Sequence, residues 1–415
     1  MKFMLLLPGF LLLSLYDSGI CDVGFSASDF DWSLRRGIGG RIVGKQEFEW
    51  VVLLRITHIV RRNSKTLEET ETKRRGVCTG SLIDRHTILT AAHCLYTHDG
   101  MDAESTLVTK KITAYLRPTK SGRPESSMML NFDYEGPGKG YRAIAYLPQD
   151  WTDCFTNPDK RNRIVADILT NEQDVFKGIE FSDLSDSDKL EVCKDNAHDI
   201  AMIRIYDVDF YAAHVTEGYE FGCFGHDTPG CPAFKPDASV DYTDVPLKAL
   251  GFGIQEPGEY ASEAEKEKGF VEVNSQMDLM ETSYKERVTW YHGNICLMFH
   301  RCSQAATTAG DSGGPLIVTN DDGTNRIVGI NTRSLQMVHR DRQGPGLRPH
   351  FLGRIPTCPL AQRECFLKFQ SIAASFKWLL HEIIEAEFEY HDVLMEMRNV
   401  PTKHPPPPPH DELKA

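Results

Sequence analysis

Positive charge is in deficit in this chain. Its 46 Lys and Arg stand against 59 Asp and Glu, a net charge of −13. That balance excludes nucleic acid and anionic membrane surfaces as general partners. Long apolar runs are also scarce. The one near the start, Leu5 to Leu15, is broken by Pro8 and Gly9 and is too short to span a bilayer comfortably. With Lys2 ahead of it, the stretch reads as a secretory signal over residues 1–19; a signal anchor is the alternative. No later run is long and apolar enough for a membrane helix. The Asn-x-Ser/Thr pattern is absent, so N-glycosylation is not expected.

Cysteine, by contrast, is plentiful. Eleven in a secreted chain imply disulfides, with one left over. Cys154–Cys193, Cys296–Cys302 and Cys358–Cys365 are candidate pairs, and Cys223 and Cys231 have no assigned partner. Length alone allows two or three domains at ~150 residues each.

The most informative stretch is Gly310-Asp311-Ser312-Gly313-Gly314-Pro315, a serine among residues small enough for backbone amides to reach a substrate oxygen. Upstream lie Thr90-Ala91-Ala92-His93-Cys94 and His198-Asp199-Ile200-Ala201-Met202. A serine hydroxyl is a poor nucleophile until a base takes its proton, and an imidazole with an ordinary pKa of ~6.5 can do so. A carboxylate on the other imidazole nitrogen fixes the tautomer and stabilises the imidazolium. Any one of these motifs can arise by chance; the order His, Asp, Ser rarely does. Asp195 is a rival acid, without the apolar run that follows Asp199. His198 would face away from the site if this segment is a strand.

With Gly40-Arg41-Ile42-Val43-Gly44 and the cysteines of Cys78-Thr79-Gly80-Ser81-Leu82-Ile83 and Cys94, these motifs resemble the trypsin/chymotrypsin-like serine proteases. The resemblance runs from about Ile42 to about Ile384, with long unmatched stretches inside it. It implies an all-β fold of two packed six-stranded antiparallel β-barrels, the site at their junction, and a C-terminal α-helix. It implies a secreted serine endopeptidase working through an acyl-enzyme, with catalytic His93, Asp199 and Ser312. Gly310 and Ser312 supply the oxyanion hole. Cys78 and Cys94 form a disulfide. No cofactor and no metal are needed. Cleavage after Arg41 by a trypsin-like protease would free the Ile42 amine to pair with Asp311, so the intact chain is expected to be a zymogen. Protein or peptide substrates and that activating protease are the implied partners, with protein inhibitors as further candidates. Cys21 would tether the propeptide through Cys231, or stay a free or intermolecular thiol.

The organisation follows: propeptide 20–41, one protease domain 42–398, and a proline-rich tail 399–415 expected to be disordered or polyproline-like. Val51–Thr57 and Leu107–Leu116 are expected strands. The charged Arg61–Arg75 reads as a solvated loop, within an insertion near 58–76. A second insertion, near 97–195, contains the acidic and expectedly exposed Ser182–Asp195. Leu250-Gly251-Phe252-Gly253 and Ile327–Ile330 read as strands. Trp378, Leu379, Ile383 and Ile384 fall on one face of a helix expected to continue to about Met397.

The chain departs from the family at the specificity pocket. Ala306 stands where trypsin-like enzymes carry an acid, so an apolar or aromatic residue before the scissile bond fits better. Thr308 and Val318 replace frequent cysteines. The pocket wall reads Thr332, Arg333, Ser334; Thr332 is placed to hydrogen-bond Asp199, and Arg333 either narrows the cleft, favours an acidic substrate residue, or is a surface residue with no part in selection. These departures keep open a second reading, a catalytically weak protease-like binding or regulatory protein. An α/β-hydrolase esterase fails on chain order, Ser before Asp before His.

Overall fold

The computed structural model describes residues 41–44, 47–62, 73–98, 105–117, 126–132, 140–171, 180–206, 221–222, 246–253, 280–284, 288–291, 294–299, 310–320, 323–336 and 365–399. The signal, most of the propeptide and the proline tail lie outside them.

The first sheet opens with β2 (Val51–Arg62), β3 (Lys73–Leu82) and β4 (Thr87–Thr90), after a short β1 (Arg41–Ile42). It continues through β5 (Tyr96–His98), β6 (Ser105–Leu116), β7 (Ser126–Asn131), β8 (Tyr141–Tyr146) and β9 (Ala201–Ile205). Its order is β2-β3-β4-β9-β8-β7-β6-β5, and a further β2–β6 pairing closes it into a barrel. The closed ring thus has seven strands rather than six, with β5 attached outside on β6. One pairing, β7 with β8, is parallel, against the expected antiparallel pattern. The segment 61–75 is only partly loop, because β2 and β3 reach into it. Val52, Leu54, Ile56, Leu82, Ile88 and Ile203 fill the interior, each about 1 % exposed or less.

The second sheet contains β10 (Leu247–Gly251), β11 (Met280–Tyr284), β12 (Val288–Tyr291), β13 (Asn294–Phe299), β14 (Pro315–Thr319), β15 (Asn325–Gln336) and β16 (Cys365–Ser371). With β1 its order is β1-β11-β10-β14-β15-β16-β13-β12. The expected strands at Leu250 and Ile327–Ile330 fall in β10 and β15, although Phe252 and Gly253 lie just past the end of β10.

Helices fill what the sequence offered as an open insert. A short α1 (Ala92–Leu95) follows β4. Then α2 (Gln149–Thr156), α3 (Pro158–Asn171) and α4 (Asp186–Asn196) form a layer between β8 and β9. Helix α4 corrects the expectation of an exposed acidic stretch. Ser185 caps it, its Oγ accepting from the Asp188 N–H while Asp188 reaches back to the Ser185 N–H. Leu190, Val192, Cys193 and Asp195 are buried behind that acidic first turn. A disulfide joins Cys154 of α2 to Cys193 of α4, Cα–Cα 5.7 Å. Trp151 anchors the layer: it is 1 % exposed and donates from Nε1 to the Tyr96 carbonyl at 2.9 Å. Helix α5 (Ile372–Asn399) starts earlier than expected. Ile372, Ser375 and Leu379 face inward, with Trp378 and Ile383 packed at the margin, while Ile384 turns out at 47 % exposure.

Candidate active site

Strand register brings His93 and Asp199 together. Thr90 at the end of β4 is paired with Ala201 at the start of β9. His93 leaves β4 on α1, and Asp199 enters β9 from the end of α4, so both occupy the same end of the barrel. The Cys78–Cys94 disulfide, Cα–Cα 6.3 Å, holds α1 against β3 as the resemblance implied.

The His93 Nδ1 lies 2.8 Å from Asp199 Oδ2, and the His93 backbone N–H donates to Asp199 Oδ1 at 2.9 Å. A neutral imidazole that donates from Nδ1 keeps its lone pair on Nε2. Burial opposes ionisation of Asp199, yet the charge and hydrogen bonds of His93, with a smaller contribution from Lys368, hold its carboxyl below the usual range. The Asp199 backbone N–H donates to Gln370 Oε1 at 3.2 Å.

Ser312 is partly buried on the turn that leads into β14. Gly310 has φ +103° and Gly313 φ +80°. At Gly313 a Cβ would lie 2.1 Å from Thr90 Oγ1 and 2.4 Å from the Thr79 carbonyl, so the close approach of the sheets requires glycine. Thr79, wholly buried on β3, ties the sheets together. Its N–H donates to the Ser312 carbonyl at 2.8 Å and its Oγ1 to the Gly310 carbonyl at 2.9 Å. The Phe252 N–H in turn donates to that hydroxyl at 3.1 Å. The Cys94 sulfur sits 3.9 Å from His93 Nε2 and 3.7 Å from the Ser312 carbonyl oxygen, so the free imidazole nitrogen and the serine backbone share one neighbourhood.

Asp311 is buried, and its Oδ1 accepts from the Gly253 N–H at 2.6 Å. Ile42 stands on the surface in β1, 59 % exposed and paired in register with Met280. In the intact chain Ile42 is therefore a strand residue.

A cleft of about 160 Å³ opens beside His93. It is lined by Asp199, Thr97, Trp151, Lys194, Asp195, Thr332 and Lys368. Two expectations change here. Thr332 donates to the Lys368 carbonyl at 3.1 Å and not to Asp199; the partner on that side is Gln370. His198 lies outside any strand and has its own partner: Nδ1 and the backbone N–H both meet Asp150 Oδ2, at 2.7 and 2.9 Å. The hydrogen bond to Asp150 raises the His198 pKa against the opposing effect of burial. Asp195 is no rival acid, because Asp199 holds the imidazole. Ala306 and Thr308 lie outside the described residues, and of Arg333 and Ser334 only the β15 backbone is described. The Cys296–Cys302 and Cys358–Cys365 expectations each need a residue outside them too.

Among the described residues one group, Cys78, His93 and Cys94, clusters closely enough to hold a metal ion, but the two sulfurs are bonded to each other and offer no thiolate. Sequence reasoning missed Thr79, Lys368 and Gln370. Thr79 lay inside a quoted motif; nothing local marked the other two.

Residues 38–122 match the family model described as Trypsin. No curated protein matches the chain. Among solved structures, the HL collagenase structure is 16 % identical, covering 83 % of this chain and 98 % of that chain at a TM-score of 0.38, too loose an overlap to equate individual residues.

Proposed function

We propose that the chain is a trypsin/chymotrypsin-like serine protease, the family whose model matches residues 38–122, and that it is a secreted serine endopeptidase made as a zymogen. The observation that carries the reading is the His93–Asp199 pair, with His93 Nε2 and the Ser312 carbonyl both close to the Cys94 sulfur. Ser312 attacks the scissile carbonyl as His93 accepts its proton. Asp199 stabilises the imidazolium that forms. The N–H groups of Gly310 and Ser312 receive the oxyanion, an interaction typically worth ~3 kcal/mol of barrier. His93 then returns the proton to the leaving amine, and water completes the hydrolysis.

Activation follows cleavage after Arg41. The freed Ile42 amine leaves its place in β1 and pairs with Asp311, since an ammonium is tolerable in that buried setting only beside a carboxylate. The two disulfides support an oxidising, extracellular setting.

The test is fluorophosphonate labelling of the full chain before and after limited trypsin cleavage, with Ser312→Ala as control. Labelling of Ser312 that appears only after the Arg41–Ile42 cut is the expected result. Absence of labelling despite a verified cut would overturn the reading in favour of a protease-like binding protein.

A further inference from the structure

Lys368 is a charged side chain that the motifs leave unused. It lies on β16, is 2 % exposed, and donates from Nζ to the backbone carbonyl of Asp195. It lines the same cleft as His93 and Asp199. Its neighbour on β16, Gln370, accepts the Asp199 N–H. One strand thus grips the segment 195–199 at both ends.

A neutral donor would have been enough for the Asp195 carbonyl. Burying an ammonium is unfavourable unless negative charge answers it; Asp195 and Asp199 both line the same cleft, and the Lys368 charge favours the ionised Asp199 carboxylate. The need runs the other way as well. A buried carboxylate whose sole cation is an imidazolium favours the protonated imidazole, which cannot act as a base. A permanent cation nearby removes that requirement.

We propose that Lys368 is a positioning residue for the Asp199–His93 pair: it fixes the segment carrying Asp199 and balances the charge of its carboxylate. The proposal rests on the reading of His93 as a general base. Other titratable groups face the pair, His58 from β2 and Lys194 and Asp195 from α4. Lys194 is answered at 2.7 Å by Glu191.

The experiment compares the full chain, cleaved after Arg41, with its Lys368→Met, Lys368→Gln and Lys368→Arg variants. Fluorophosphonate labelling rates are read from pH 5 to 9, and the His93 ring is titrated by NMR. Met and Gln are expected to move the acid limb up by about one pH unit, the scale of one nearby charge. Labelling is then about tenfold slower below the limb and converges on the unsubstituted rate above it. Arg keeps the charge and leaves the limb in place. A uniform, pH-independent loss in all three variants would make Lys368 a packing residue and overturn the proposal, as would no change in any. If the unsubstituted chain does not label, the endopeptidase reading has failed, and the NMR titration alone decides: a raised His93 midpoint in Met and Gln supports the charge balance, and an unmoved one refutes it. Should neither neutral variant fold, Asp199→Asn is read at the Lys368 ammonium resonance. It shifts if the two charges face each other and stays put if they do not.

Discussion

His58 makes the barrel sensitive to acid in a way that can be worked out in advance. The ring is 7 % exposed on β2, and Thr109 Oγ1 approaches its Nδ1 at 3.5 Å. That hydroxyl donates to the Leu95 carbonyl at 2.8 Å. Burial, and secondarily the charge of His93, lower its pKa from 6.5 to about 4. The unfolded chain binds this proton near 6.5 and the folded chain only near 4. Stability from this group is therefore fully present above pH 6.5. It falls as pH drops and is exhausted once pH passes below the folded value. At ~1.4 kcal/mol per unit the interval is worth about 3 kcal/mol. Acid destabilises through many carboxylates, so the useful quantity is a difference. Urea unfolding of the uncleaved chain, in a Ser312→Ala background that prevents self-digestion, is measured from pH 7 to pH 4 with His58 and with His58→Gln. The stability gap between the two proteins is expected to change by about 3 kcal/mol across that range, the histidine form losing more. Parallel curves would show that His58 takes up its proton without cost, and the reasoning from burial would be wrong.

Four further outcomes are expected. Gly313→Ala puts a methyl 2.1 Å from Thr90 Oγ1 at φ +80°, and should cost at least about 2 kcal/mol in thermal melts while abolishing labelling of Ser312. Cys154→Ser with Cys193→Ser opens the link between α2 and α4, and should lower stability by about 2–4 kcal/mol in denaturant titrations. Asp199→Asn should leave the fold intact, read by circular dichroism, and slow serine labelling by about 10⁴-fold because the imidazole loses its tautomer. Thr79→Val removes the hydroxyl that serves both Gly310 and Phe252, at about 2 kcal/mol; labelling should fall with it, and Thr79→Ser should restore both.

The site was legible where chemistry and local sequence coincide. His93 sits within Thr-Ala-Ala-His-Cys, and Ser312 lies between two glycines whose positive φ the turn demands. Those constraints act over a few residues, so a few residues display them. Gln370 and Lys368 act across the whole interval from β9 to β16, and neither has a neighbour that marks its task. The helical layer failed for another reason. In Ser182–Asp195 the acidic residues dominate the eye, although Ser185 and Asp188 spell a helix start and Leu190 and Cys193 share one face. The seven-strand ring was hidden because barrel closure depends on pairing between β2 and β6, which no local period records.

The helical layer also changes what holds Asp199. Its segment leaves α4, and α4 is tied to α2 by the Cys154–Cys193 bridge and to the barrel by Trp151 through the Tyr96 carbonyl. His198 returns to Asp150 at the start of α2, while Lys368 and Gln370 hold Asp195 and Asp199 from β16. The carboxylate is thus fixed from both sheets and from the insertion. An insertion of this kind is more than a surface loop, because Trp151, Cys154, Leu190 and Cys193 share one hydrophobic core with the barrel, so loosening α2 or α4 would disturb Asp199 and the core together. Damage to the helices should accordingly reach the His93–Asp199 geometry as well as global stability.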